Sequence, residues 1–521
     1  MPAETRAGRR EWIGLGVLVL ACLVYAMDLT VLHLAVPRLS ADLRPTSAQL
    51  LWIIDIYGFL VAGSLITMGT LGDRIGRRRL LMIGAAAFAA SSVLATMSTT
   101  SEMLIVSRAL MGIAGATLAP STLSLIFNMF LDPKQRSVAI GFWIASFSAG
   151  GAIGPLLGGV LLEHYWWGSV FLLALPVMAA LLILGPRVLP EFRDPQAGRL
   201  DLVSAGMSLT ALLSLIYALK QVAQEGFGPV PGLFIVVGVV VGVLFVRRQR
   251  RLDDPIIDLG LFRIPAFSAS LVTYMLSIFV AFGYFLFVAQ YLQLVLGLSP
   301  LEAGLWSLPS GAGFIVGSLV APHVIHRARP SVVMGAGLAL TAVSLVALTQ
   351  VGLTSGLLLL AVASGVIALS LAPVVTLATE LAVGSAPPER TGAASGISET
   401  SAELGGALGI AILGSIGTAI YRSEVAGALP AGVPPAAAET ARDTLGGATE
   451  VAGQLSGPLG NQVLDAAREA FLHGMRLTAA ISAALAIGVG ILAAVMLRKV
   501  RARVNEDADA GEPAVTVSVE A

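Results

Sequence analysis

The chain has 521 residues, of which 56% are hydrophobic and only 12% are charged, against about 25% charged residues in an ordinary soluble domain. A soluble fold would leave far too much apolar surface uncovered, so this composition excludes an ordinary water-soluble protein. The formal net charge of zero says nothing about acidic or basic partners. The single cysteine, Cys22, excludes an intrachain disulfide and a cysteine-ligated metal site.

Apolar runs of about 20 residues recur along the chain, and a helix of that length crosses the hydrocarbon core of a bilayer. We therefore predict an all-α integral membrane protein with fourteen transmembrane helices, or twelve or thirteen if the pair within 201–246 is not separate. The predicted spans are 12–36, 50–70, 80–98, 103–125, 137–162, 168–186, 201–220, 231–246, 268–296, 304–322, 332–350, 353–379, 392–420 and 475–497. The first run is too long for a signal peptide and carries Asp28, so we expect it to remain uncleaved.

The distribution of basic residues predicts the orientation, because positively charged loops stay in the cytoplasm. With the amino terminus inside, 24 of the 32 Lys and Arg residues fall in cytoplasmic segments, seven in external segments and one, Arg108, within a span. A missed helix would move the later basic clusters to the outside. We therefore expect both termini in the cytoplasm of a protein of the cell membrane.

Three charged residues are predicted within the outer half of the first, second and fourth spans: Asp28, Asp55 and Arg108. A charged side chain in hydrocarbon costs several kcal/mol, roughly 2.5–3.5 on insertion scales, so such residues are functional candidates. Arg108 is expected to pair with one carboxylate, which would leave the other to exchange protons. The structural alternative for each is a buried charge satisfied by neighbouring helices, or one exposed to water near the interface.

The loop after the second span, residues 69–79, places an acid and several arginines between glycines, as in a tight turn with a salt-bridged latch. A simple positively charged anchor is the alternative. The candidate gating residues in it are Gly69, Gly72, Asp73, Arg74, Gly76, Arg77 and Arg78. A second gating candidate is the glycine-rich run of the fifth span, where we expect a bend and tight packing between the two halves: Gly150, Gly154, Pro155, Gly158 and Gly159.

Glu399 and Glu403 are spaced i, i+4 in the thirteenth span, so both lie on one face of the helix. Two acids on one face suit a proton relay or a cation site. Aromatic residues in several spans are candidates for cation–π or stacking contacts with a substrate, and core or lipid-facing packing is the alternative for each. These aromatic residues are Trp52, Tyr57, Trp143, Tyr284, Phe285 and Tyr291.

The predicted organisation has two halves of six helices each, at 12–186 and 268–497, with two inserted helices over 201–246. A cytoplasmic amino terminus (1–11), a cytoplasmic loop (247–267) and a disordered cytoplasmic tail (498–521) complete it. The long external segment 422–474 has amphipathic stretches at 436–449 and 461–472 and is expected to be a partly helical surface loop, with a role in gating or substrate entry as the alternative.

The pattern of residues 69–79 closely matches the cytoplasmic loop signature of the major facilitator superfamily. Further motifs resemble its fourteen-helix drug:proton antiporter branch: 27–37 the first-helix motif, Arg108 with Gly112 and Gly115 the fourth-helix motif, and 150–159 the motif that marks antiporters. The resemblance covers about residues 10–500 and extends, through the membrane acids, to multidrug efflux pumps of the QacA, LfrA and EmrB type. Two departures are His33, where the family often has Asn, and the segment 321–330, which has no acid.

This resemblance implies a proton-driven exporter of lipophilic cations, such as quaternary ammonium compounds and dyes, that works by alternating access about a central site. Asp28 and Arg108 would handle protons, Glu399 or Glu403 would pair with the cation, and Asp55 would contribute to either task. Three alternatives stay open: a dedicated exporter of one metabolite or antibiotic, a proton symporter, and a receptor or scaffold that does not transport. We expect no enzyme activity, no metal and no cofactor, a proton gradient as energy source, membrane lipids as surroundings, no nucleic-acid partner and a monomer.

Overall fold

The computed structural model describes residues 6–45, 47–193, 201–252, 255–325, 327–353, 356–455 and 458–498, and these residues form helices and short connections. The α-helices are α1 (Arg9–Leu43), α2 (Ser47–Ile75), α3 (Arg77–Thr96), α4 (Ser101–Gly115), α5 (Leu118–Met129), α6 (Pro133–His164), α7 (Ala174–Val188), α8 (Leu202–Glu225), α9 (Pro229–Gln249), α10 (Pro265–Gln290), α11 (Pro300–Ile325), α12 (Pro330–Leu348), α13 (Leu357–Gly384), α14 (Thr391–Ala428), α15 (Pro435–Asp443), α16 (Leu445–Gln454) and α17 (Pro458–Met496). Most of the predicted tail, and the side chains of His33 and Pro155, lie outside the described residues.

Thirteen helical segments in this described part are long and apolar enough to cross a membrane. They correspond to thirteen of the fourteen predicted spans, with α4 and α5 together forming one of them. The remaining predicted span is α6, a continuous helix of 32 residues that packs along α1 and α11. The all-α membrane architecture predicted from the apolar runs is therefore confirmed, and the helices fit a count of fourteen.

Two six-span bundles form the body of the protein. In the first half, which comprises α1 to α7, α1 packs against α6 and α7, and α2 packs against α4. In the second half, which comprises α10 to α14 and α17, α10 packs in the same way against α14 and α17. The pair α8 and α9 packs together, and α8 lies against α2 of the first half and α14 of the second.

The two halves meet where α2 packs on α14 and where α6 packs on α11. Glycine makes both approaches possible, because a Cβ atom on Gly69 would collide with the carbonyl oxygen of Gly392, and one on Gly141 with that of Ser318. Both contacts lie toward the end of the bundle that carries Arg77 and the start of α14, which we call the basic face. The other end is called the opposite face.

The long loop predicted over 422–474 is shorter in the structure. Helix α14 continues to Ala428, α17 already begins at Pro458, and α15 and α16 occupy most of the residues between them. The apolar runs end at 420 and begin at 475 because they report only the bilayer, whereas a helix continues into water with polar residues on its surface. Tyr421 fixes this segment, since its hydroxyl donates to the carbonyl oxygen of Ala441 at 2.7 Å.

The glycine run of the fifth span has a different neighbour from the one expected. Cβ atoms on Gly150, Gly154 and Gly158 would clash with Leu23, Met27 or Thr30, and Val31, all of which belong to α1 of the same half. A Cβ atom on Gly159 would meet nothing within 4 Å. The prediction that this run packs the two halves together was therefore wrong. Its i, i+4 spacing forms a single stripe on the side of α6 that faces α1.

Candidate functional site

Asp28 and Arg108 form an ion pair between α1 and α4. An oxygen of Asp28 lies 2.5 Å from a guanidinium nitrogen of Arg108, and both side chains are buried. The guanidinium group of Arg108 also lies 4.5 Å from the ring centroid of Tyr57, in a cation–π contact. Because each charge neutralises the other, the pair can be kept in the bundle, and loss of either charge would leave the other buried alone.

Glu399 and Glu403 lie on the side of α14 that faces the first half. Glu399 is half-buried and its Oε1 atom is enclosed, with no hydrogen-bond partner among the described residues. Glu403 is exposed although it lies in the middle of a membrane-spanning helix. It interacts electrostatically with Tyr25 of the first half and Tyr274 of the second.

Two buried tyrosines that the sequence reasoning missed lie beside these acids. Tyr25 of α1 and Tyr274 of α10 each interact electrostatically with both Glu399 and Glu403. A signal for Tyr25 was present, because it precedes Asp28 by three residues and therefore lies on the same side of α1. No comparable signal marked Tyr274, which becomes recognisable only when α10 packs on α14.

Asp55, Tyr57 and Trp52 are close in sequence but occupy different positions on α2. Asp55 is half-buried. Tyr57 is completely buried, with its hydroxyl 3.5 Å from the carbonyl oxygen of Tyr25. Trp52 stacks on Tyr217 of α8, with 6.5 Å between the ring centroids and 8° between the planes. Trp52 therefore lies against the inserted helices, whereas Tyr57 lies beside the ion pair.

Three further aromatic candidates are held by hydrogen bonds inside their own halves, and Phe285 packs its ring 5.6 Å from that of Tyr284. The indole nitrogen of Trp143 donates to the hydroxyl of Thr122 at 2.9 Å. The hydroxyl of Tyr284 lies 3.1 Å from that of Ser364, and the hydroxyl of Tyr291 donates to a carbonyl oxygen at 2.7 Å. Since the polar ends of these rings already have partners, packing within each half accounts for Trp143, Tyr284 and Tyr291.

The predicted latch residue Asp73 joins the halves at the basic face. Its carboxylate accepts hydrogen bonds from the backbone N–H groups of Gly392 and Ala393, at 3.0 and 2.8 Å, in the first turn of α14. It also accepts one from Arg77 at 2.8 Å. The N–H groups of a first helical turn have no partner within the helix, and the helix dipole favours an anion there. Asp73 thus binds α14 by both effects.

Arg77 and Arg78 complete the connection in different directions. Arg77 donates to the carbonyl oxygen of Pro388 in the second half at 2.9 Å, while Arg78 lies 3.6 Å from Glu191 at the end of the first half. Gly76 permits the turn between α2 and α3. Its φ of 108° is strained for any other residue, and a Cβ atom there would lie 2.6 Å from Glu191. A Cβ atom on Gly72 would lie 3.3 Å from Leu80, so a larger side chain there would displace its neighbours. Arg74 is half-buried at the end of α2.

A further link between the halves was not predicted. The hydroxyl of Ser137 on α6 donates to a carboxylate oxygen of Glu380 on α13 at 2.7 Å, near the basic face. Glu380 follows the predicted end of its span by one residue, which placed it in a loop. The segment 321–330 of the second half contains basic residues and no acid, so it has no counterpart of Asp73.

A two-half helical bundle with charges buried between its helices is the architecture of a multi-pass membrane transporter. The chain belongs to the Major Facilitator Superfamily, whose sequence profile matches residues 18–410. The fold is also that of solved transporters: the human organic anion transporter MFSD10 (TETRAN) superposes with a TM-score of 0.58 at 16% identity, over 95% of this chain and 100% of that one. A bacterial homologue of the lysosomal transporter Spinster gives 0.55 at 18% identity, over 95% and 99%.

Among characterised relatives, the chain is 43% identical to the multidrug efflux pump LfrA of Mycolicibacterium smegmatis, over 96% of this chain and 98% of the relative. It is 36% identical to the methyl viologen resistance protein SmvA of Salmonella typhimurium, over 92% and 98%. It is 33% identical to a tetracenomycin C resistance and export protein of Streptomyces glaucescens, over 97% and 95%. The efflux-pump resemblance is therefore confirmed, and these three relatives cover 92–97% of the chain.

Proposed function

We propose that this protein is a proton-coupled efflux antiporter that exports lipophilic organic cations by alternating access. The observation that carries the proposal is the enclosed oxygen of Glu399, which has no hydrogen-bond partner among the described residues although it lies between the two halves. A buried carboxylate without a donor is costly unless a proton or a cation neutralises it. Competition between the two for one acid is the requirement for exchange.

The relatives support the chemical class of the substrate. Methyl viologen, named in the description of SmvA, is an organic dication, and that relative covers most of this chain. A second acid on the same face of α14, Glu403, matches a substrate with one or two positive charges. Quaternary ammonium compounds and dyes such as ethidium belong to the same class.

The positive-inside rule supports an orientation in which the basic face is cytoplasmic, and we propose that the protein resides in the cell membrane. In this orientation, the contacts of Asp73 with α14 and of Ser137 with Glu380 close the halves on the cytoplasmic side. Protons arriving from outside would reach Asp28, Arg108 and the acids of α14, and would displace the cation outward. The proton gradient supplies the energy, and the proposal invokes no cofactor.

Flux of ethidium or a quaternary ammonium ion in proteoliposomes with an imposed pH gradient tests the proposal. Flux should follow the gradient and stop when an ionophore collapses it. Cation flux that continues unchanged after the collapse would contradict proton antiport. Empty liposomes and the double variant Asp28→Asn with Arg108→Gln, which buries no charge, provide the matched controls for leakage.

A dedicated antibiotic exporter is the second candidate, and the relative described as a tetracenomycin C resistance and export protein favours it. A neutral or anionic substrate has no need of a carboxylate for binding. Replacement of both Glu399 and Glu403 by glutamine would then leave substrate binding unchanged. Under the first proposal, the same double replacement abolishes the binding of cations.

A further inference from the structure

We propose that Tyr25 and Tyr274 form the two aromatic walls of the cation site, one contributed by each half, on either side of Glu399 and Glu403. This inference rests on the proposed function, because it takes an organic cation as the ligand. It assigns the aromatic contacts to residues other than Trp52, Trp143, Tyr284 and Tyr291, whose rings lie against the inserted helix or are fixed by hydrogen bonds within one half.

The position of Tyr274 follows from the close contact between α10 and α14. Cβ atoms on Gly405 and Gly409 would collide with the backbone of Met275 and Phe279, so the two helices touch along this line. Tyr274 directly precedes Met275, and Glu403 precedes Gly405 by two residues. Tyr274 is therefore next to the acids of α14, in agreement with its electrostatic interaction with both of them.

Tyr25 reaches the same acids from the first half through contacts of α5. The sulfur of Cys22, three residues before Tyr25, lies 3.3 Å from the hydroxyl of Thr122, and Ser124 lies 3.5 Å from Ser395 of α14. Ser395 is one helical turn before Glu399. These contacts bring this part of α1 to the level of Glu399, whose charge acts on both Cys22 and Tyr25.

The depths of Glu399 and Tyr274 are similar. At about 1.5 Å per residue, Glu399 lies about 12 Å from the beginning of α14 and Tyr274 about 13 Å from the beginning of α10, and both helices begin at the basic face. Glu403 lies about one helical turn further along α14. Ser124, Ser395 and the Asp73 contacts lie closer to the basic face, where they hold the halves together.

The two tyrosines are also supported as rigid surfaces. The ring of Tyr25 lies 6.3 Å from that of Tyr57 and 5.8 Å from that of Phe147, and both neighbours belong to the first half. Tyr274 of α10 is buried beside Thr379 of α13, which also belongs to the second half. Because each wall moves with its own half, a cation between them contacts both halves at once, and separation of the halves dismantles the site.

The test is the equilibrium binding of tetraphenylphosphonium to the purified full-length protein, for four variants. Tyr25→Leu and Tyr274→Leu remove one ring each, and Tyr25→Phe and Tyr274→Phe keep the ring without its hydroxyl. A cation–π contact of about 1–2 kcal/mol corresponds to about a 5- to 30-fold change in Kd. We expect each leucine variant to bind more weakly by such a factor and each phenylalanine variant to bind within about twofold of the wild type.

Tyr284→Leu is the matched control, because Tyr284 is an equally buried tyrosine of α10 that bonds Ser364 within its own half. It should bind as the wild type does. If a leucine variant does not fold, Tyr→Met, which fills similar space without a ring, replaces it. Wild-type affinity in a folded Tyr25 or Tyr274 variant without a ring would overturn the wall assignment, whereas failure of the wild type to bind any organic cation would overturn the proposed function itself.

Discussion

The buried acids of the two halves differ in how they are neutralised. In the first half, Asp28 has a resident arginine at 2.5 Å and the pair is enclosed together. In the second half, Glu399 has an enclosed oxygen with no hydrogen-bond partner among the described residues. Asp28 is thus neutralised by a residue of the protein, whereas the enclosed oxygen of Glu399 has no such partner among the described residues. Under the proposed function, an external ion, either a proton or a cationic substrate, completes the second site.

The two sites are close enough to influence each other. Arg108 stacks on Tyr57, Tyr57 lies 6.3 Å from Tyr25, and Tyr25 interacts with Glu399. The rings of Tyr25 and Tyr57 therefore connect Glu399 with the Asp28–Arg108 ion pair, and an ion that binds at Glu399 changes their surroundings. Substitutions at single acids and at Arg108 test this difference.

Arg108→Ala should have the largest effect, because it turns the first site into an acid without a partner. Removal of one member of a buried ion pair costs about 3–5 kcal/mol. We expect a clear fall in thermal stability in detergent together with loss of gradient-driven flux. The double variant Asp28→Asn with Arg108→Gln, which buries no charge, should regain most of the stability but not the flux. Unchanged stability of the single variant would contradict the assigned ion pair.

Asp73→Asn tests a third acid, one whose partners come from both halves. It weakens charge-assisted hydrogen bonds worth about 1.5–3 kcal/mol each, so we expect the basic face to open at least tenfold more often. A single cysteine at Ser395, buried where the halves meet, reports this opening by its alkylation rate when Cys22 is replaced by Ser. Asp132→Asn, a change in a helix cap of the first half, is the control. Equal alkylation rates in the Asp73→Asn protein and the Asp132→Asn control would exclude the latch.

Glu403→Gln and Glu399→Gln should separate substrates by charge. A dication gains from two carboxylates and a monocation needs one, so each change should weaken binding of methyl viologen more than that of tetraphenylphosphonium. We expect a difference of about tenfold in the change of Kd, equivalent to about 1.4 kcal/mol. Equilibrium binding of both cations to the same purified proteins measures it. An equal loss for both cations would contradict the proposal that the two carboxylates bind a dication more tightly than a monocation.

Glu380→Gln should have the smallest effect, because this acid has a hydrogen bond from Ser137 and the amide can still accept it. We expect opening at the basic face to change less than threefold, or by less than about 0.7 kcal/mol. Ser137→Ala, which removes the donor, should open the face more than Glu380→Gln does. The Ser395 cysteine reporter measures both, and an effect of Glu380→Gln equal to that of Asp73→Asn would contradict the ranking.

The sequence predicted the membrane helices well because a bilayer demands long apolar runs. It singled out Asp28 and Arg108 because isolated charges are conspicuous in such runs. Asp73 was singled out by the loop after the second span, where an acid lies among glycines and arginines. It failed where the answer depends on which helices touch. The glycine stripe from Gly150 to Gly158 is visible in the sequence, but only the fold shows that α1 covers it.

The aromatic residues illustrate the same limit. Trp52 and Tyr274 are equally plausible from composition, yet one stacks on Tyr217 of α8 and the other lies beside the acids of α14. A tyrosine next to another helix's carboxylate leaves no trace in its own segment. The boundaries of α14 and α17 were missed because their ends are polar, and hydropathy detects only the portion within the bilayer.

Proton release on cation binding tests most directly the claim that Glu399 is the acid completed by an external ion. Tetraphenylphosphonium is added to the detergent-solubilised protein in weakly buffered solution, and a pH-indicator dye follows the change. We predict that the wild type releases protons in proportion to the cation bound and that Glu399→Gln releases none at a cation concentration that saturates it. Equal release from the two proteins, or binding to the wild type without any release, would contradict the account.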